Sequence, residues 1–127
     1  MKYSNISRFS TPQDLYYDNV AGRIGEGAAA EYVAFRRIYH QLPSMVVILN
    51  NPKSAAIPAD LSTQYAIIGA ISRVATKDNF DAVCDYTDRF ARELGIMAMR
   101  DIIKLCPAVK GTRRFAQWAA ANSEVMI

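Results

Sequence analysis

The stretch DLSTQYAIIGAISRVA, residues 60–75, decides the fold, because its apolar residues recur with the period of an α-helix on two separate faces. One face carries Tyr65, Ile68, Ser72 and Ala75. The other face carries Ile67, Ile71 and Val74. A helix with two apolar faces is packed from both sides, so we expect this one at the centre of the molecule. Asp60 or Ser62 is predicted to cap its amino end.

The segments on either side of this stretch also favour helices. Residues about 12–21, 28–42, 78–94 and 96–106 show helical spacing, and Thr112 is predicted to cap a final short helix. The glycine-rich run 22–27 and Gly95 are interpreted as corners between helices, and Pro107 as a stop. Residues 45–49 fit either a buried extended segment or a short helix. The pattern predicts an all-α, compact bundle of five to six short helices.

Length and composition bound the class of protein. The chain has 127 residues, 51% of them hydrophobic and 21% charged, which is typical of one folded domain. We therefore expect residues 1–127 to form a single helical domain, with 1–11 as a loose N-terminal segment. No apolar run approaches the roughly 20 residues that a membrane span needs. The polar, charged start predicts a cytoplasmic protein without a secretory signal.

No constellation of residues points to catalysis or to a cofactor. Cys84 and Cys106 are far apart and form no CxxC pair, and His40 is the single histidine, so we expect reduced structural thiols and no metal. Asp85 and Asp88 are interpreted as part of an exposed helix face, with ion pairs to arginines four residues further on. The sequence therefore predicts a protein that is not an enzyme and binds no cofactor.

The net charge of +3 lies entirely within residues 100–127, where five basic residues face two acidic ones. Arg113 and Arg114 open the last predicted helix, although the helix dipole disfavours cations there. We expect both to point outward to an anionic contact, an acidic protein surface or phosphate, while Trp118 is buried. Arg36 and Arg37 fall off the apolar face of their helix and are further candidates for partner contact.

Several ordered motifs carry a family resemblance. They are GEGAAAEYVAF at 25–35, PAD at 58–60, NFD at 79–81, RD at 100–101 and TRRFAQWAA at 112–120. Together they resemble the C-terminal helical lid of MoxR-type AAA+ ATPases of bacteria and their phages. The likeness spans roughly residues 20–121, and the P-loop domain of that family has no counterpart in the chain.

The resemblance implies a lid that contacts other subunits of a ring rather than an ATPase. Arg8 stands where the family places an arginine that senses the γ-phosphate, but without the flanking proline and tryptophan. The leading hypothesis is a non-catalytic interaction module, either a fragment of such an ATPase or a free-standing regulator or inhibitor. Its expected partner is an AAA+ subunit or another protein machine. The alternative is a small basic nucleic-acid-binding protein that uses residues 100–127.

Overall fold

The computed structural model describes residues 42–125, and every regular element within that range is helical. Five α-helices follow in chain order, joined by short connections. They are α1 Met45–Asn50, α2 Leu61–Val74, α3 Phe80–Thr87, α4 Arg92–Leu105 and α5 Arg113–Ala121, with 3₁₀ turns at Pro107–Gly111 and Ser123–Val125. The predicted all-α class is confirmed for this part of the chain. The predictions made for residues 1–41, including Arg8, Arg36, Arg37 and His40, lie outside the described residues.

Helix α2 is packed from two sides, as its sequence predicts. Ile67 and Ile71 belong to the main core, together with apolar residues of α1, α3 and α4. Ile68 faces a smaller cluster that it forms with Leu94 and Ala98 of α4. Tyr65 was expected on that same face, but 46% of it is exposed, so the apolar face is shorter than its spacing indicates.

The ends of the helices are fixed by local hydrogen bonds. Asp60 caps α2, because its Oδ2 accepts a hydrogen bond from the Thr63 amide at 3.1 Å. Thr112 caps α5 in the same way, with its Oγ1 accepting from the Phe115 amide at 3.1 Å. Both predicted caps are therefore confirmed, and α4 ends at Leu105, two residues before Pro107.

The apolar segment 45–49 is a short helix, the second of its two predicted forms. The Ser44 hydroxyl accepts a hydrogen bond from the Val47 amide at 3.2 Å and caps the helix. Met45 and Ile48 are fully buried in the core. Nearby groups also pair at its other end, where the side-chain amides of Asn50 and Asn51 donate to the Val46 and Val47 carbonyls at 2.9 and 3.1 Å. These local hydrogen bonds explain why the buried segment needs no neighbouring strand.

The helix predicted over 78–94 is wrong in its extent, because the chain turns at 88–91. The Arg89 and Phe90 amides donate to carbonyls three residues back, at 3.2 and 3.1 Å, which tightens the end of α3. The turn lets Phe90 pack edge-on against Tyr86, with ring centroids 5.3 Å apart. Gly95, predicted as the corner, instead lies within the first turns of α4. The apolar residues thus keep the helical period across a turn at which the helix itself ends.

The two cysteines are free thiols. Cys84 is buried in the core, as expected, whereas Cys106 is only half-buried. Burial raises the pKa of the Cys84 thiol from 9.0 to about 12, and Arg114 partly opposes that shift. The protonated thiol is therefore the stable form in the core.

We expect Gly95→Ala to stabilise the protein by up to about 1 kcal/mol, because alanine has the higher helix propensity. A Cβ at position 95 would meet the Thr87 carbonyl oxygen at 3.7 Å, an ordinary contact. Gly111→Ala is the control, since its Cβ would meet open space in a 3₁₀ turn, and a change within about 0.5 kcal/mol is expected there. Urea denaturation measures both. A clear loss of stability in Gly95→Ala would show that position 95 requires glycine.

We expect stability to fall as pH rises above 9.0, in part because of Cys84. The unfolded thiol releases its proton near that pH, whereas the folded thiol keeps it up to about 12, so the unfolded state binds fewer protons between these values. One such group contributes at most about 1.4 kcal/mol per pH unit. Urea denaturation at pH values on both sides of 9.0 should therefore show a shallower decline for Cys84→Ala than for wild type. Parallel declines would contradict the assignment.

Candidate protein-interaction site

Arg114 joins the last helix to α3. Its Nη1 donates to Asp85 Oδ1 at 2.9 Å, and its Nη2 donates to Asp88 Oδ2 at 2.8 Å. Only 23% of the Arg114 side chain is exposed. Burial opposes its charge, but the hydrogen bonds to the two carboxylates outweigh that effect and raise the pKa of Arg114 above its ordinary value. The Arg114 guanidinium therefore holds the start of α5 against the two carboxylates at the end of α3.

The two arginines at the start of α5 differ in surroundings. Arg113 is exposed and forms no ion pair within residues 42–125, as expected of a side chain that points outward. For Arg114 that expectation is wrong, because the fold places two aspartates beside it. Arg113 remains a candidate for partner contact, whereas the Arg114 guanidinium is already occupied.

The ion pairs expected from Asp85 and Asp88 to the arginines four residues further on are not formed, and those arginines instead contact residues that are distant in the sequence. Arg89 donates to the carbonyl oxygens of Pro52 and Ala55, at 2.9 and 2.8 Å, and lies over the Tyr86 ring. Arg92 pairs with Glu124, just beyond α5. The turn at 88–91 interrupts the helix on which the predicted pairs depended.

A groove lies between the α3–α4 corner and α5. Its volume is about 280 Å³. Its lining residues are Thr87, Asp88, Phe90, Ala91, Arg92, Gly95, Ile96, Trp118 and Asn122. It thus combines the aromatic side chains of Phe90 and Trp118 and the aliphatic ones of Ala91 and Ile96 with the charged side chains of Asp88 and Arg92.

Trp118 packs against the main core, as predicted, but it is half-buried rather than buried. Its ring packs beside Phe115, with centroids 6.1 Å apart, and it contacts the main core. Phe115 is the buried residue of α5. The helix α5 spans only nine residues, and Trp118, its other aromatic side chain, borders the groove.

A second pocket, of about 380 Å³, lies beside the start of α2. Its polar side chains are those of Asp60 and Thr63, which are hydrogen-bonded to each other in the helix cap. The described residues contain no group of three or more histidines, cysteines or acids that could hold a metal ion. The helices between residues 42 and 125 also include none with the length and hydropathy of a membrane span. The groove beside Trp118 is a better candidate for a functional site than the second pocket, because it combines aromatic with charged side chains, whereas the polar side chains of that pocket are engaged in a helix cap.

Sequence reasoning missed most of this groove. Asp88 and Phe90 were assigned to the faces of one continuous helix, and Ile96 to the core stripe of the next. The spacing of Asp85 and Asp88 by three residues was visible, but it indicates a shared helix face and does not identify a partner. Their contact with Arg114 spans 29 and 26 residues and follows from no local pattern.

Comparison with known proteins identifies no relative: no protein-family model, curated protein or solved structure matches the chain. The resemblance to MoxR-type lids therefore remains a prediction. The candidate site is defined by its geometry alone.

We expect Arg114→Ala to lower the free energy of unfolding by about 1–2 kcal/mol, because it removes two charge-assisted hydrogen bonds and leaves Asp85 and Asp88 unpaired. Arg113→Ala is the matched control, since Arg113 is exposed and forms no ion pair within the described residues, and it should change stability by less than about 0.5 kcal/mol. Urea denaturation followed by circular dichroism measures both variants. Equal stability of the two would mean that Arg114 does not fasten α5.

Proposed function

We propose that this protein is a non-catalytic helical module that binds a protein partner in the cytoplasm. The groove beside Trp118 is the observation that carries the proposal, because half-buried aromatic side chains with a polar rim are typical of protein-binding surfaces. Leu61 and Tyr65, exposed by 55% and 46% one turn apart on α2, add a second apolar surface. The resemblance to MoxR-type lids supports an AAA+ subunit as the partner, with the chain acting as part of such an ATPase or as its regulator.

A nucleic acid is the second candidate partner. Arg100, Lys104, Lys110 and Arg113 are exposed and form no ion pair within the described part of the chain. Such cations attract phosphate, and affinity that depends on them falls steeply with salt. The protein partner is favoured, because Asp85 and Asp88 pair with Arg114 and so remove it from this basic set. The groove beside Trp118 is lined by Asp88 as well as Arg92, so it is not a purely basic surface. We expect no specific DNA or RNA complex at physiological salt.

Site-specific photo-crosslinking in the native cell tests the proposal. A benzoylphenylalanine is placed at Ile96 in the groove, at Leu61 and Tyr65 on α2, and at Ala108, an exposed control position in the 3₁₀ turn. We expect a discrete protein adduct from Ile96 or from the α2 positions, absent from Ala108, which mass spectrometry identifies as a subunit of a protein machine. Nuclease-sensitive adducts from every position would favour the nucleic-acid alternative. Absence of any adduct would contradict both.

A further inference from the structure

Asp88 and Arg92 are the charged side chains that line the groove. Arg92 is balanced by Glu124, whereas Arg114, the partner of Asp88, is shared with Asp85, so these ion pairs hold three carboxylates against two guanidinium groups. Asp88 is 57% exposed and accepts a hydrogen bond through Oδ2, whereas its Oδ1 accepts none from the described residues. The rim of the groove thus carries a carboxylate oxygen that can accept a further hydrogen bond.

The apolar wall of the groove suits the stem and head of a cationic side chain. Phe90 and Trp118 line it, and aromatic ring faces attract ammonium and guanidinium groups. Ile96 and Ala91 offer aliphatic surface for a methylene stem. A volume of about 280 Å³ lies just below the usual range of small-molecule sites, roughly 300–1,000 Å³, and suits one long side chain.

An acidic partner residue fits this groove poorly. The two arginines that could attract a carboxylate are both paired, Arg114 with Asp85 and Asp88, and Arg92 with Glu124. A carboxylate placed beside Asp88 would meet a like charge, which is unfavourable where water is excluded. The sequence had pointed to an acidic partner at Arg114, and the tertiary structure reverses the sign of the charge expected there.

We propose that the groove between the α3–α4 corner and α5 receives a lysine or arginine side chain of the partner protein, which lies against Trp118 and Phe90 and pairs with Asp88. This inference rests on the proposed function, since it names the chemistry by which a protein partner is held. It selects partners with an exposed basic residue among apolar neighbours.

Titration of the intact protein with capped amino acids tests the groove directly. The probes are the N-acetyl methylamides of arginine, lysine, norleucine and glutamate, in the millimolar range where a single side chain can bind. The reporters are the indole N–H of Trp118, the one tryptophan of the chain, and the amides of Gly95 and Asn122 in ¹H–¹⁵N spectra. We expect saturable shifts at these signals with arginine and lysine, weaker ones with norleucine and none with glutamate.

Asp88→Asn should weaken binding of the basic probes about fivefold, because it removes the charge but keeps the shape of the side chain. Asp81→Asn is the matched control: it removes an exposed carboxylate from the first turn of α3, the helix that ends next to Asp88, at a position that does not line the groove. The affinity of this variant for the basic probes should stay within about twofold of wild type. Thermal melting confirms that both variants fold. Equal effects of the two variants, or equal shifts with glutamate, would overturn the assignment.

The outcomes separate this inference from the proposed function. If no probe shifts the groove signals while crosslinking at Leu61 or Tyr65 still captures a protein, the basic-residue site is wrong and the protein-binding module stands. If the basic probes bind as expected but no protein is captured at any position, the groove chemistry stands and the proposed function fails.

Discussion

The hydrogen bond from the buried Tyr86 hydroxyl to the Ala56 carbonyl oxygen, at 2.8 Å, ties the loop after α1 to the end of α3. Arg89 reinforces it from the next turn by donating to two further carbonyls of the same loop. Burial raises the pKa of Tyr86 above its ordinary value, so the hydroxyl keeps the proton it donates. An unpaired buried hydroxyl or carbonyl would cost about 1–3 kcal/mol, which makes this loop position strongly preferred.

The groove beside Trp118 is a consequence of the same contacts. Arg89 reaches the loop from the turn at 88–91, and that turn carries Phe90 to one wall of the groove. Asp88, at the start of the turn, meets Arg114 and thereby helps to place α5 and its tryptophan opposite. The candidate binding site is thus assembled by contacts among the end of α3, a distant loop and the last helix.

Much of the helical architecture could be predicted from residues 42–125 alone. The two-sided packing of α2, the caps at Asp60 and Thr112 and the end of α4 before Pro107 all follow from local patterns. The prediction of one continuous helix over 78–94 could not be corrected from the sequence, because the apolar residues keep the helical spacing through Phe90 and Leu94. Trp118 also has core spacing, yet it is only half-buried, since spacing says which face a residue occupies and not whether another element covers it.

The sequence by itself determined that this part of the chain is helical and where α2 and α5 are capped, because those features depend on hydrogen bonds and side-chain spacing within a few residues. Only the tertiary structure decided which charges meet. Arg114 lies 29 residues from Asp85, and their contact exists because α5 packs across α3. That packing pairs Arg114, at the basic start of α5, with two aspartates, and it leaves the exposed carboxylate of Asp88 at the groove. Electrostatic contact depends on distance in space rather than on position along the chain.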